Sequence, residues 1–129
     1  MESIQITTFY AGLLGLILLW LSFRVIGMVR AKEVSYGDAG NPEFTVVVRG
    51  QANFVEYVPM ILILMALDEF SGVSGAWIHG MGLALVIARI MHPLGLTTTP
   101  GVNPLRFGGT VITFLVLLVA SFLAIWNFF

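Results

Sequence analysis

Arg49, Gln51, Asn53 and Glu56 stand inside the apolar run from Val46 to Pro59, where the chain should be crossing a lipid bilayer. An ionisable side chain at membrane depth costs at least ~2.5 kcal/mol even on the lenient insertion scale, so a span that keeps both an Arg and a Glu has a use for them. At about 100° per residue, Arg49, Asn53 and Glu56 (i, i+4, i+7) fall within about 60° of one another on one helix face. Phe54, Val55, Val58 and Ile61 to Leu64 cover much of the rest. With a rise of ~1.5 Å per residue, Glu56 lies about 10 Å deeper than Arg49, too deep to reach the headgroups without a partner. Arg89 and His92, at i and i+3 on a later segment, and Arg106 beyond the next loop add cationic and imidazole groups at the same membrane level.

Several guanidinium groups at one level suit carboxylates, which Arg grips through two parallel hydrogen bonds, while a carboxylate and an amide beside them suit an ammonium or a peptide group. A small zwitterion with more acid than base fits this set, and glutathione, with two carboxylates and one ammonium, is the cytoplasmic candidate. Its thiol is nucleophilic only as thiolate, a form that a nearby guanidinium favours, and Arg106 is the spare cation best placed to do so. The competing structural reading treats the stripe as packing glue, an Arg/Glu pair neutralising itself between helices. Gly75, Gly80, Gly82 and Ala84 read as close-packing positions. Trp20, Trp77, Trp126, Tyr10 and Phe128-Phe129 read as interfacial anchors.

The elements that position these groups follow from composition. The chain has 129 residues, 58% of them hydrophobic and 10% charged, with a mean hydropathy of +0.97, where a soluble domain carries roughly 25% charged residues. It reads as an all-α integral membrane protein. There is no Cys, which excludes disulfides, thiolate metal sites and a Cys nucleophile, and no metal site is expected. A net charge of -1 without a basic run gives no reason to expect a nucleic-acid partner. The first apolar stretch lacks the positive start of a signal peptide and reads as a retained span. Four segments reach the ~20 residues needed to span the hydrocarbon, at about 5–30, 46–67, 74–92 and 106–129, within a single domain over residues 1–129. Lys32 to Glu43 is polar and turn-rich, Asp68 to Gly72 is a tight hairpin, and Pro93 to Pro104 is a Thr/Gly/Pro loop. Short connections imply antiparallel neighbours and an up-and-down four-helix bundle. Pro59 frees one carbonyl of the second helix and is expected to kink it.

The six basic residues, Arg24, Arg30, Lys32, Arg49, Arg89 and Arg106, all lie at or near the first and third connections. The positive-inside rule puts those two connections in the cytoplasm and both termini on the opposite side. Arg24 and Lys32 need do no more than orient the chain and snorkel. Small size and basic cytoplasmic loops agree with a bacterial inner membrane.

The run Asn41-Pro42-Glu43-Phe44, followed by Arg49-x-x-x-Asn53-x-x-Glu56-Tyr57-x-Pro59, closely resembles the signature of the MAPEG family, the membrane-associated proteins in eicosanoid and glutathione metabolism. The resemblance continues through Ala88-Arg89-Ile90-Met91-His92 and Arg106, so it covers nearly the whole chain, and the second-helix motif is its specific part. It implies a four-helix subunit that forms a homotrimer, with glutathione as co-substrate between adjacent subunits at the cytoplasmic side. By position it implies glutathione contacts from Arg49, Asn53, Glu56 and Tyr57, further contacts from Gln51 and Arg30, third-helix contacts from Arg89 and His92, and thiolate stabilisation by Arg106. Leu96 departs from the pattern, since several eukaryotic relatives carry a tyrosine one turn after the histidine.

The resulting expectation is a glutathione transferase or glutathione-dependent peroxidase acting on lipophilic electrophiles or lipid hydroperoxides that enter from the membrane lipids. The apolar substrate would lie against the first and fourth helices, and the chemistry would be proximity plus thiolate activation. Two alternatives belong to other classes: a small proton-coupled transporter built on one membrane carboxylate, and a non-catalytic lipid-binding or scaffolding member of the same fold. The cations around Glu56 speak against the transporter, which needs a carboxylate facing a mid-membrane cavity.

Overall fold

The computed structural model describes residues 3–32, 41–96 and 101–129, and of residues 31 and 32 the backbone alone. These stretches form four helices, α1 Gln5–Lys32, α2 Pro42–Phe70, α3 Gly75–Leu94 and α4 Pro104–Trp126. Each is long and apolar enough to cross a membrane.

Two of the helices begin on the same device. Asn41 and Asn103 hold extended backbone ahead of Pro42 and Pro104. The Asn41 side chain accepts from the N–H groups of Glu43 and Phe44 at 3.0 and 3.2 Å, and the Asn103 side chain from those of Leu105 and Arg106 at 2.9 and 3.4 Å. The amide oxygen satisfies donors that no preceding turn can reach, and proline's fixed φ suits a first helical residue whose N–H has no partner anyway. Hydropathy alone put the starts at 46 and 106; the caps move them to Pro42 and Pro104. At its other end α2 runs through Pro59 and on to Phe70, so Asp68 belongs to the helix and not to the hairpin. The turn proper is Ser71 to Ser74, with Gly72 at φ 93°, a left-handed conformation that glycine adopts without steric cost. Pro93 falls inside the last turn of α3, and residues 127–129 lie beyond α4.

Contacts fix the direction of each helix. Thr7 meets Glu69 and Tyr10 meets His79 at one end of the molecule; Ser22 meets Gln51 and Gly109 closes on His92 at the other. The arrangement is an up-and-down bundle in which α2 and α3 pack on each other and on both outer helices, while among the described residues α1 and α4 do not meet. Leu14 and Leu21 of α1, Phe54, Val58, Ile61 and Met65 of α2, Ile78, Met81 and Leu85 of α3, and Val116 and Ala120 of α4 form the core. Large apolar side chains such as Leu16, Phe23, Met60, Ile63, Ile87, Leu118 and Phe122 cover the outside, the distribution a lipid solvent permits and water does not.

Small residues set the closest crossings, with one correction to their reading. Gly82 lies under the Tyr10 ring, Gly75 faces Ile6, and Gly109 faces the Ala88 carbonyl and His92, so no side chain fits at 82 or 109 without a shift. Gly80 has open space where a Cβ would be and lines an apolar groove of about 450 Å³ between α3 and α4, with Ala76, Trp77, Ala84, Ile112 and Val116. Tyr10 is likewise no interfacial anchor. It is buried, and its hydroxyl pairs with His79 Nδ1 at 3.0 Å. Arg24 extends over the Trp20 ring at 5.3 Å, covering apolar surface with its stem as a snorkelling cation does.

Candidate functional site

The polar stripe of α2 opens into a cleft of about 320 Å³ between α2 and α4, at the end of the bundle where α3 finishes. Thr45, Val46, Arg49, Asn53 and Tyr57 form the α2 wall, His92 and Leu96 the floor, and Arg106, Thr110 and Phe114 the α4 wall. Helical spacing places each wall. Thr45, Arg49, Asn53 and Tyr57 follow one another at i+4, as do Arg106, Thr110 and Phe114, so both helices turn a single face to the cleft. Tyr57 and Phe114 meet edge to face at 5.2 Å and form an aromatic boundary away from the cationic end.

Arg106 sits in the first turn of α4, where its guanidinium adds to the positive end of the helix dipole. Arg49 contacts Glu56 at 3.4 Å, with the two side chains 54% and 45% exposed. An exposed pair of this kind is worth at most about 1 kcal/mol, so Arg49 is free to exchange it for a ligand carboxylate. His92 is buried against the cleft. Among the described residues no group of three or more His, Cys, Asp or Glu side chains comes together to hold a metal ion.

Of the nine residues singled out from sequence, Arg49, Asn53, Tyr57, His92 and Arg106 line the cleft, and Glu56 reaches its edge through Arg49. Three lie elsewhere within this one chain. Gln51 is on the opposite face of α2 and donates to Ser22 Oγ of α1 at 2.9 Å. Arg30 is exposed near the end of α1, a helix that makes no contact with α4. Arg89 is wholly buried behind the α2 wall, where its Nη1 donates to Asn53 Oδ1 at 2.8 Å and Thr113 Oγ1 at 3.4 Å. Thr45, Thr110 and Phe114 were not singled out, although the wheel that found Asn53 from Arg49 would have found Thr110 and Phe114 from Arg106.

Comparison with known proteins decides the family. The family model described as MAPEG matches residues 7–126, which is nearly the entire bundle. The chain belongs to the MAPEG family. It is also similar to the inner membrane protein YecN of Escherichia coli K12, 34% identical over 91 residues that make up 70% of each chain. The same protein from E. coli O6:H1 (strain CFT073) matches equally well. Within this MAPEG chain, the motif residues of α2 divide between two faces, one turned to α4 and one to α1. At the floor, Leu96 brings an apolar group, so the hydroxyls that line the cleft come from Thr45, Tyr57 and Thr110.

Proposed function

We propose that this MAPEG chain binds glutathione in the cleft between α2 and α4 and uses it as a transferase or peroxidase on lipophilic electrophiles or lipid hydroperoxides. The observation that carries the reading is the convergence of Arg49, Asn53, Tyr57, His92 and Arg106 on one cleft of about 320 Å³. Arg49 and Asn53 would hold carboxylate and peptide groups, Glu56 would take the ammonium, and Arg106 would keep the sulfur ionised for attack. The protein would contribute positioning and thiolate activation, and the apolar co-substrate would supply the electrophilic atom.

A homotrimer belongs to the same proposal. Gln51 and Arg30 belong to the α1 side of the subunit and the cleft to the α4 side, and α1 and α4 do not meet. A site between adjacent subunits would reunite the two sets and cover the half-exposed Arg49 and Glu56, which lipid would solvate poorly. It would also let an apolar substrate lie between α4 of one copy and α1 of the next. We further place the chain in a bacterial inner membrane, as the name of the E. coli relative suggests for that protein. The 1–2 and 3–4 connections would be cytoplasmic, by the distribution of basic residues.

The test is glutathione binding to the purified protein in detergent, together with the ultraviolet absorbance of bound thiolate, for wild type and Arg106→Ala. Binding with a thiolate signal that the substitution removes supports the enzyme. Binding without thiolate supports a non-catalytic lipid-binding or scaffolding member, and no binding returns the stripe to packing or transport.

A further inference from the structure

Arg89 is the largest fully buried side chain among the described residues. No carboxylate lies within ion-pair distance of it among the described residues. Its Nε and Nη2 make no hydrogen bond there either. The contacts it does make point one way. Nη1 donates to Asn53 Oδ1 at 2.8 Å, and the guanidinium lies over the Phe54 ring at 5.7 Å. Thr113 donates its own proton to the Gly109 carbonyl at 2.7 Å, which leaves a lone pair of Oγ1 toward Arg89 Nη1 at 3.4 Å. A guanidinium has donors and no acceptor, so the Asn53 atom that faces it must be the oxygen. Asn53 itself lines the cleft.

We propose that Arg89 is a positioning residue that does not touch the ligand: it locks the Asn53 amide with its oxygen inward and its NH2 group toward the cleft, so that this position reads a hydrogen-bond acceptor. Thr113 is the second half of the device, holding the guanidinium from α4 while Asn53 holds it from α2. Asn53 then joins Arg49 and Arg106 as a donor, and the part of the ligand that meets it is a carboxylate or peptide carbonyl rather than an ammonium. Glu56 is left as the carboxylate at the edge of the cleft that can receive an ammonium. This inference rests on the proposed glutathione site.

The experiment is glutathione affinity across a set of variants, each checked for an intact fold by thermal unfolding. Asn53→Asp keeps the shape and strengthens the bond to Arg89, but turns an acceptor into the cleft. Its affinity should fall by about tenfold or more while its unfolding temperature holds or rises, a split that a merely structural role would not produce. Arg89→Met should weaken binding by about tenfold in the wild-type background and by far less in Asn53→Ala, because the two residues act as one unit. Arg89→Lys, which retains a cationic donor group, should recover part of the loss. Thr113→Val tests the device where Arg89→Met does not fold, with a few-fold loss that also vanishes in Asn53→Ala. Failure of the wild type to bind glutathione would overturn the functional reading. Wild-type binding with an unaffected Asn53→Asp, or with Arg89 and Asn53 effects that simply add, would overturn this inference alone.

Discussion

Position 68 carries a carboxyl group that is wholly enclosed by protein, and neither of its oxygens has a hydrogen-bond partner among the described residues. Ile61 and Met65, on the same face of α2, are equally buried and apolar. Replacing an unsatisfied buried carboxyl by an apolar group removes its desolvation cost, so Asp68→Leu should stabilise the protein by about 1–3 kcal/mol, read as a higher unfolding temperature in detergent. A lower temperature would mean that the carboxyl is satisfied in the membrane. Sequence placed Asp68 in a hairpin because the polar run from Asp68 to Gly72 reads as a turn. Only packing reveals that α2 continues past it. Individual residues of the site were legible to different degrees for a similar reason. Periodicity put Arg49, Asn53 and Glu56 on one face, but spacing gives a face and not a depth, and Arg89 turned out to lie behind the cleft wall. Gln51 is half a turn away from Arg49 on the same wheel, and that angle already assigned it to the other side.

At the scale of elements, the Asn-Pro pairs at 41–42 and 103–104 were present in the sequence, yet each was read as part of a connection, Lys32 to Glu43 or Pro93 to Pro104, because Asn and Pro are also turn residues. Reading them as caps would have given both helix starts. The glycines divide by what faces them, which no sequence pattern records. A Cβ at 109 would lie 2.8 Å from the Ala88 carbonyl oxygen and 2.9 Å from the His92 backbone nitrogen of α3. Gly109→Ala should therefore force α3 and α4 apart, at a cost of about 1–3 kcal/mol. Gly80→Ala, with open space, should be neutral or stabilise by up to about 1 kcal/mol through helix propensity. Thermal unfolding of the pair compares them directly, and equal effects would contradict the close crossing at Gly109. The same crossing sets the distance between Arg106 and His92 on the two helices it joins, so Gly109→Ala should also weaken ligand binding.

For the whole molecule, composition alone was enough to read four spanning helices, because a bundle that is apolar outside as well as inside has one compatible solvent. Assembly was less legible, since one chain holds only half of the information about an interface between copies. If the proposed trimer forms, chemical cross-linking in membranes should end at three copies, and a single-copy limit would remove the shared site. The absence of Cys makes orientation testable with single introduced thiols. Ser71→Cys in the 2–3 hairpin should react with a membrane-impermeant reagent added from outside, and Val102→Cys in the 3–4 connection should react only after the membrane is opened. One long-range contact bears on how such a chain is built. Glu69 accepts from the backbone N–H groups of Ile6 and Thr7 at 2.9 and 2.8 Å, supplying from the end of α2 acceptors for the first turn of α1, which follows Ile4, a residue with no capping side chain. Until Glu69 is in place, the N–H groups of that leading turn must find other acceptors, water or headgroups. The start of α1 is therefore finished by the end of α2, whereas α2 and α4 open on caps of their own, so of these three starts it is the one that depends on a distant partner.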